Sequence, residues 1–361
     1  MSTSPLGNLV RIVPLELSDL PPHPSIPQQS QAASTTTPSD SRLLTFLLAI
    51  LDEASTFISP STFSTRFTSL STKSSPPSTA PVELYKREIS ASDVSSIQWS
   101  ENPRVPRKPP AKVEDENWFA RRSVHKNESS KTSEGTASWS EFVFGLKEQH
   151  SKHEQDFTPT LYDAHYVVDW NEEIRNLPKQ GGTSEEWIEG ENGVRYTDIT
   201  MEIFEMCHSL PGPLSPRCFP VLVLTAFTSP TAFLAVTAPV NLLSPGPLEA
   251  AYYSTGRNTT DPSASEQQKK KPVLGVYAAV ETVRLLSDGD GEDEEGGKEV
   301  KDGDGRNIQW TMATASDAKG NLPMFLQKPN LPSEVAKDVG FFMRWIKGVD
   351  VEKERQGEKD V

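Results

Sequence analysis

Hydrophobic residues recur along this chain with two different periods, and the stretch from Pro272 to Val349 shows both. Val273 to Leu286 is rich in Val, Leu, Tyr and Thr and is long enough for a sheet strand. Ile308, Trp310, Met312 and Thr314 alternate with Gln309, Thr311, Ala313 and Ala315, which is a period of two. Ser316-Asp317-Ala318-Lys319-Gly320-Asn321 supplies turn chemistry. Beyond Pro332, where a first helical turn tolerates proline, Val335, Val339, Phe342 and Ile346 fall three or four apart, flanked by Ala336 and Met343. A strand pair followed by a helix with a broad apolar face predicts an α+β fold. In it the C-terminal helix lies across a bent antiparallel sheet.

Upstream, Val10, Ile12, Val13, Leu15 and Leu17 predict a short docking strand within Leu9 to Leu20. Ser39 or Asp40 caps a predicted helix through Ala54, whose Leu43, Leu44, Leu47, Leu48, Ile50 and Leu51 cover a wide face. Burying each large side chain is worth roughly 1.5–3 kcal/mol, so this helix is expected to pack rather than lie on a membrane surface. Phe63, Phe67 and Leu70 suggest one more helix, followed by a linker from Ser71 to Pro81 and a strand from Val82 to Glu88. Trp118 to Lys126 predicts a strand in which Arg121 and Arg122 leave on opposite faces. Trp118, Ala120 and Val124 share the face of Arg122, whereas Phe119, Ser123 and His125 share that of Arg121. An arginine pointing into a covered face must find a partner, and this count makes Arg122 the inward one. Ser138 with Glu141 forms a capping box for a helix whose Trp139, Phe142, Val143 and Leu146 share a face.

Further strands follow at Ala164 to Trp170 and Thr197 to Ile203; Phe219 to Phe227 and Phe233 to Val240 are apolar on both sides, as in strands covered twice. Three parts result: a Ser/Pro-rich segment with one or two short helices over 1–81, a folded domain over 82–349, and a charged tail over 350–361. Flexible insertions are expected near 254–271 and 287–304.

Composition changes this picture little. A hydrophobic share of 35% with 21 Gly and 30 Pro suits a folded domain diluted by disordered segments. The net charge of −14 argues against nucleic acid as the main partner. Cys207 and Cys218 form no CxxC unit and fit a reducing compartment. The N-terminus lacks a signal peptide's basic start and apolar core, and the run Leu43 to Leu51 falls short of the ~20 residues of a membrane span. A soluble, cytoplasmic protein is the expectation.

Candidate chemistry is sparse. His150, His153 and Glu154 lie near a helix end without an HExxH pattern or a third ligand, and read as solvated. Asp288 to Asp293 starts like a calcium loop with Glu299 in twelfth place, but Asp293 stands where the turn needs glycine. Pro103 to Lys108 loosely matches a polyproline ligand and reads more simply as a basic linker. GxSxG, a glycine-rich phosphate loop and a Cys/His signature are absent, so no metal or cofactor is expected. Glu202, Glu281 and Arg284 are ionisable groups inside strands, with surface-facing positions or structural ion pairs as the default for each.

Trp118 to His125, Thr136 to Phe142, Asp163-Ala164, Tyr277 to Arg284 and Trp310 to Pro323 together resemble a fungal family of uncharacterised proteins with a START-like domain, within a likeness spanning about Val82 to Val349. The resemblance implies a helix-grip fold closed around an apolar tunnel, which in START-like domains holds a lipid or another hydrophobic molecule. A cavity lined by Met201, Ile203, Tyr277, Trp310, Met312, Phe342 and Ile346 would shelter an acyl chain at about 0.8 kcal/mol per CH₂. Arg122, or its neighbour Arg121, would meet an anionic head group. Two readings stay open: that cavity, or a solid core in which Arg122 pairs with Glu202 or Glu281. The expected function is binding of a hydrophobic ligand, with transfer, sensing and transient membrane contact as variants. The alternatives are a ligand-independent interaction module and an enzyme with a hydrophobic substrate.

Overall fold

The protein's structure is a computed structural model that describes residues 6–26, 39–181, 186–286, 302–317 and 331–359. Its strands are β1 (Leu15–Glu16), β2 (Thr68–Ser75), β3 (Ser78–Ile89), β4 (Glu116–Lys126), β5 (Leu161–Asp169) and β6 (Ile188–Glu189). They continue as β7 (Arg195–His208), β8 (Arg217–Ser229), β9 (Ala232–Asn241), β10 (Val273–Leu274), β11 (Val276–Leu285) and β12 (Asn307–Asp317). The helices are α1 (Ser39–Ile58), α2 (Pro60–Arg66), α3 (Ala91–Ser95), α4 (Trp139–Leu146), α5 (His150–Phe157) and α6 (Asn171–Arg175). Two more close the chain, α7 (Leu331–Ile346) and α8 (Val351–Lys359).

The sheet runs β2-β3-β4-β12-β11-β9-β8-β7-β5 with antiparallel neighbours throughout, while β1 adds to β9 and β10 to β8 in parallel. Register shifts interrupt the β2–β3, β5–β7, β7–β8 and β8–β9 pairings, and such bulges bend a sheet. Helix α7 lies in the bend, the helix-grip arrangement. Its Ala336, Val339, Phe342, Met343 and Ile346 are buried against Phe142 and Phe144 of α4 and against Val283 and Trp310 of the sheet. Gly340 lets α7 cross the β2–β3 hairpin closely: its N–H donates to Ser75 Oγ at 2.9 Å, and a Cβ there would stand 2.5 Å from the Pro76 carbonyl oxygen.

The sheet's other face is covered as well. Leu47, Ile50, Leu51 and Ala54 of α1, with Leu9, Val10 and Leu15, share one core with Met201, Leu222, Leu224 and Val236. Glu53 anchors the N-terminal segment by accepting from the Leu9 and Val10 amides at 2.9 and 2.8 Å. Residues 6–26 and 39–66 therefore belong to the same folded body, and the boundary expected at residue 81 falls inside β3.

Three further expectations are revised. The Ser71–Pro81 linker is a hairpin, pairing Lys73 with Val82 and Ser75 with Ser78; its Ser/Thr-rich strand is exposed, so it shows no apolar alternation. The Pro103–Lys108 stretch is neither a linker nor a free ligand. Buried Arg107 donates to the Pro14 carbonyl at 2.8 Å and to Asp19 at 3.1 Å, clamping the N-terminal segment. The 254–271 insertion is a pinned loop: buried Glu205 accepts from the Tyr252 and Tyr253 amides, and buried Asn258 donates to the Gln268 and Lys270 carbonyls. The acidic stretch 287–301 and the turn residues 318–321 lie outside the described residues.

Candidate ligand-binding site beneath the C-terminal helix

Between α7, α5 and the sheet lies a small cavity of about 50 Å³. Arg121, Tyr277, Glu281, Trp310 and Met312 form its floor, His150 and Glu154 a wall, and Asp338 of α7 its roof. Strand register builds the floor. Arg121 of β4 stands opposite Met312 of β12, and Met312 opposite Glu281 of β11, so all three project from one face. Neighbouring strands are about 4.8 Å apart, so the arginine must reach over a whole strand to meet Glu281. It does so: Arg121 Nη2 lies 3.6 Å from Met312 Sδ and donates to Glu281 Oε1 at 3.2 Å.

Arg121 is 1% exposed, and its guanidinium sits 3.8 Å from the centroid of the Trp310 ring. Trp310 Nε1 donates to the same Glu281 oxygen at 2.6 Å, so one carboxylate orients both groups. Arg121 Nε and Nη1 are buried and have no hydrogen-bond partner among the described residues. An unsatisfied buried donor costs about 1–3 kcal/mol, more for a charged group, and native cores carry few. The cavity beside it has room for a water molecule or a small polar group.

The other ionisable groups respond to this setting. Burial pushes Asp338 up to about 7; Arg121 opposes the shift, while Glu154, Glu281 and Glu334 add to it. Burial likewise raises Glu154, with His150 opposing and Glu281 reinforcing. The Tyr277 phenol is pushed up by burial. His125, one of the residues on Arg121's face of β4, is lowered to about 3 by burial and by that arginine, so its ring is neutral. The site thus combines a guanidinium with spare donors, an aromatic face, and two carboxyls that take up protons more readily than free ones.

Of the residues expected to form a pocket, Arg121, Tyr277, Trp310 and Met312 surround this cavity. Phe342 and Ile346 sit beside it in the packed core of α7, with Phe342 5.1 Å from the Phe142 ring and 5.4 Å from Trp310. Met201 and Ile203 lie on the opposite face, in the core under α1. Arg122 also lies there, half-buried, donating to Glu83 Oε2 at 2.9 Å and to Tyr85 Oη at 2.6 Å. The inward arginine is therefore Arg121, and its partner is Glu281. The two-residue alternation holds, but both faces are covered, so the apolar neighbours Trp118 and Ala120 mark the α1 side rather than the α7 side.

His150 and Glu154, read from sequence as solvated, line the cavity; they stand four apart on α5 and so share one helical face. His153 is buried too, its Nδ1 2.9 Å from the Phe144 carbonyl oxygen. Asp338 carried a readable signal, since it falls between Val335 and Phe342 at helical spacing, an acid within an apolar stripe. No group of three His, Cys, Asp or Glu among the described residues could hold a metal ion. No single helix among them is long and apolar enough to cross a membrane; α1 and α2 pass that test only as a pair bent by 53°, and α1's apolar face is buried.

The bent antiparallel sheet gripping a C-terminal helix over a partly charged cavity defines an α+β helix-grip protein. More narrowly, residues 118–346 match the family described as "Protein of unknown function (DUF3074)", and the chain belongs to that family. Among solved structures it is similar to the human StarD13 (DLC2) lipid transfer and protein localization domain, at 12% identity and a TM-score of 0.35, covering 78% of this chain and 91% of that one. It is also similar to human STARD10, at 8% identity and a TM-score of 0.41, covering 91% and 87%. Human StAR-related lipid transfer protein 5 matches at 10% identity and a TM-score of 0.41, covering 86% and 98%. Scores at this level describe a likeness of shape and say nothing of ligand. No curated protein matches the chain.

Proposed function

We propose that the protein binds a hydrophobic molecule bearing a polar group, with its apolar body beneath α7 and its polar end at Arg121. The observation that carries this reading is the buried guanidinium, two of whose donors have no partner among the described residues, lining a cavity on the gripping face. A packed core fills such space and pairs such donors, apart from the few that an ordered water satisfies. A volume of about 50 Å³ takes only the polar end, so the apolar body enters by displacing α7 from α5 and the sheet. The aromatic cluster of Phe142, Phe157, Phe342 and Trp345 is what such a ligand would replace. In the same reading the protein works in a reducing compartment such as the cytoplasm and meets membranes transiently to load or deliver its ligand.

Native mass spectrometry after gentle purification, followed by uptake from phosphatidylcholine vesicles, tests the proposal. Adduct masses in the range of a lipid, lost in Arg121→Met, are expected. An unliganded chain mass together with no uptake by the wild type would refute it.

A second reading rests on a separate observation, the convergence of His150, Glu154, Glu281 and Asp338 on one cavity with a carboxyl near neutrality. Such a group suits general acid–base chemistry on a bound hydrophobic substrate. Asp338→Asn separates the two: turnover of captured ligand would disappear while uptake persisted, whereas a pure binder would show no turnover in either form.

A further inference from the structure

On the face of the sheet away from α7, a cleft of about 1060 Å³ opens between the N-terminal segment, α1, α2, α3 and β3. It is far larger than the cavity under α7 and charged on every side. Of the five carboxylates in its lining, four are engaged within the fold, and the exposed Glu191 stands 3.9 Å from Arg104. Asp52 accepts from Arg104 at 2.8 Å and from Tyr196 Oη at 3.1 Å, and Glu53 from the Leu9 and Val10 amides. Asp93 closes the α3 capping box with Ser90, and Glu88 pairs with Lys86.

The cations are not satisfied in the same way. Arg11 is 1% exposed; its Nη1 reaches Glu116 at 2.9 Å, but among the described residues its Nε has no hydrogen-bond partner and lies 4.0 Å from the Glu53 carboxylate. Arg87 rests on the rings of Phe57 and Phe67 at 4.6 and 5.7 Å, and its buried Nη1 has no hydrogen-bond partner among the described residues. Arg66, at the end of α2, is exposed and makes no ion pair among the described residues. Burial, then Arg11 and Arg66, lower Arg87 to about 10, with Glu116 and Asp93 opposing the shift. The nearby carboxylates offset part of this charge, but the spare donors on Arg11 and Arg87 can still take a further anion.

We propose that this cleft binds a phosphoryl group, held by Arg66 and Arg87 with the buried Arg11 beneath. Donors arriving from separate elements suit a tetrahedral, multiply charged anion better than a carboxylate, which one guanidinium fork satisfies. The cleft is too large for a bare ion, so the phosphoryl group carries an organic remainder, either a soluble phosphate ester or the head of a membrane lipid.

Two probes distinguish these sources: glycerol 3-phosphate by titration calorimetry at low salt, and co-flotation with phosphatidylcholine vesicles with and without phosphatidic acid. The full chain is compared with Arg66→Gln, Arg87→Gln and the charge-matched control Lys112→Gln, whose residue pairs with Glu114 at the surface, away from the cleft lining. Arg66 is exposed and unpaired, so its variant should fold, as a thermal melt will verify. Binding should weaken about tenfold for each cleft arginine removed and stay unchanged in Lys112→Gln. Binding of glycerol 3-phosphate alone assigns the site to soluble esters, and of the phosphatidic acid vesicles alone to a lipid head. The proposal falls if neither probe binds, if Arg66→Gln and Arg87→Gln bind as the wild type does, or if Lys112→Gln loses as much. Because the cleft and the Arg121 cavity lie on opposite faces, ligand uptake under α7 is expected to be the same in all three variants.

Discussion

Asp338→Asn offers the sharpest test of the electrostatics under α7. In the folded chain the Asp338 carboxyl titrates at about 7, against an ordinary value of 3.8, because burial and the neighbouring Glu154 and Glu281 outweigh Arg121. A raised acid pKa means that the folded state holds the proton longer than the unfolded state. Stability from this group is therefore intact below pH 3.8, falls as pH rises toward 7, and levels off above it. Each pKa unit corresponds to about 1.36 kcal/mol, so between pH 5 and pH 8 the wild type loses about 2–3 kcal/mol through Asp338. Asparagine cannot ionise and escapes that loss. Urea unfolding of both proteins at pH 5, 6, 7 and 8 measures the difference. Relative to wild type, Asp338→Asn should gain stability steadily up to about pH 7 and hold the gain above it. A difference that is flat with pH would show that Asp338 is not held in a desolvated, acid-crowded site, and would remove the basis for acid–base chemistry there.

Three other outcomes are expected. Glu53→Ala strips the Leu9 and Val10 amides of their acceptor and should cost about 2–4 kcal/mol in urea unfolding, with earlier proteolysis of the N-terminal segment; an unchanged midpoint would mean that this segment does not share the core. Gly340→Ala places a methyl 2.5 Å from the Pro76 carbonyl and 2.9 Å from that of Ser75, both backbone atoms. Despite a helix-propensity gain of about 1 kcal/mol, it should lower the melting temperature, and a rise would contradict the close crossing of α7 over the hairpin. Cys207 and Cys218 stand opposite each other on β7 and β8 with both thiols raised by burial, so maleimide should label neither at pH 8 until the chain unfolds; rapid labelling of the native protein would refute their burial.

The family likeness drawn from Trp118 to Pro323 anticipated the helix-grip fold and membership of a family of unknown function, with its fungal origin still an expectation, and the gripping helix could be read directly. Its stripe from Val335 to Ile346 encodes burial of one helical face, a local property. The Ser138–Glu141 capping box and the β4 alternation were legible for the same reason, since each depends on residues within a turn or two of one another. The roles of Ser71–Pro81 and Pro103–Lys108 were not legible, because an exposed hairpin strand and an arginine clamp carry no periodic signal.

Nor could local pattern choose between Arg121 and Arg122. Alternation says that the two point apart, but only strand order, with β4 beside β12 and β12 beside β11, brings Glu281 within reach of one of them. The meeting of Glu154, Glu281 and Asp338 likewise joins α5, β11 and α7, elements separated by more than a hundred residues of chain from first to last. The sequence by itself determined which segments bury a face, since that preference is written at the spacing of a single helix or strand. Which face meets which, and hence where the charges gather, was decided by long-range pairing, because those contacts exist only once the sheet has closed on its helix.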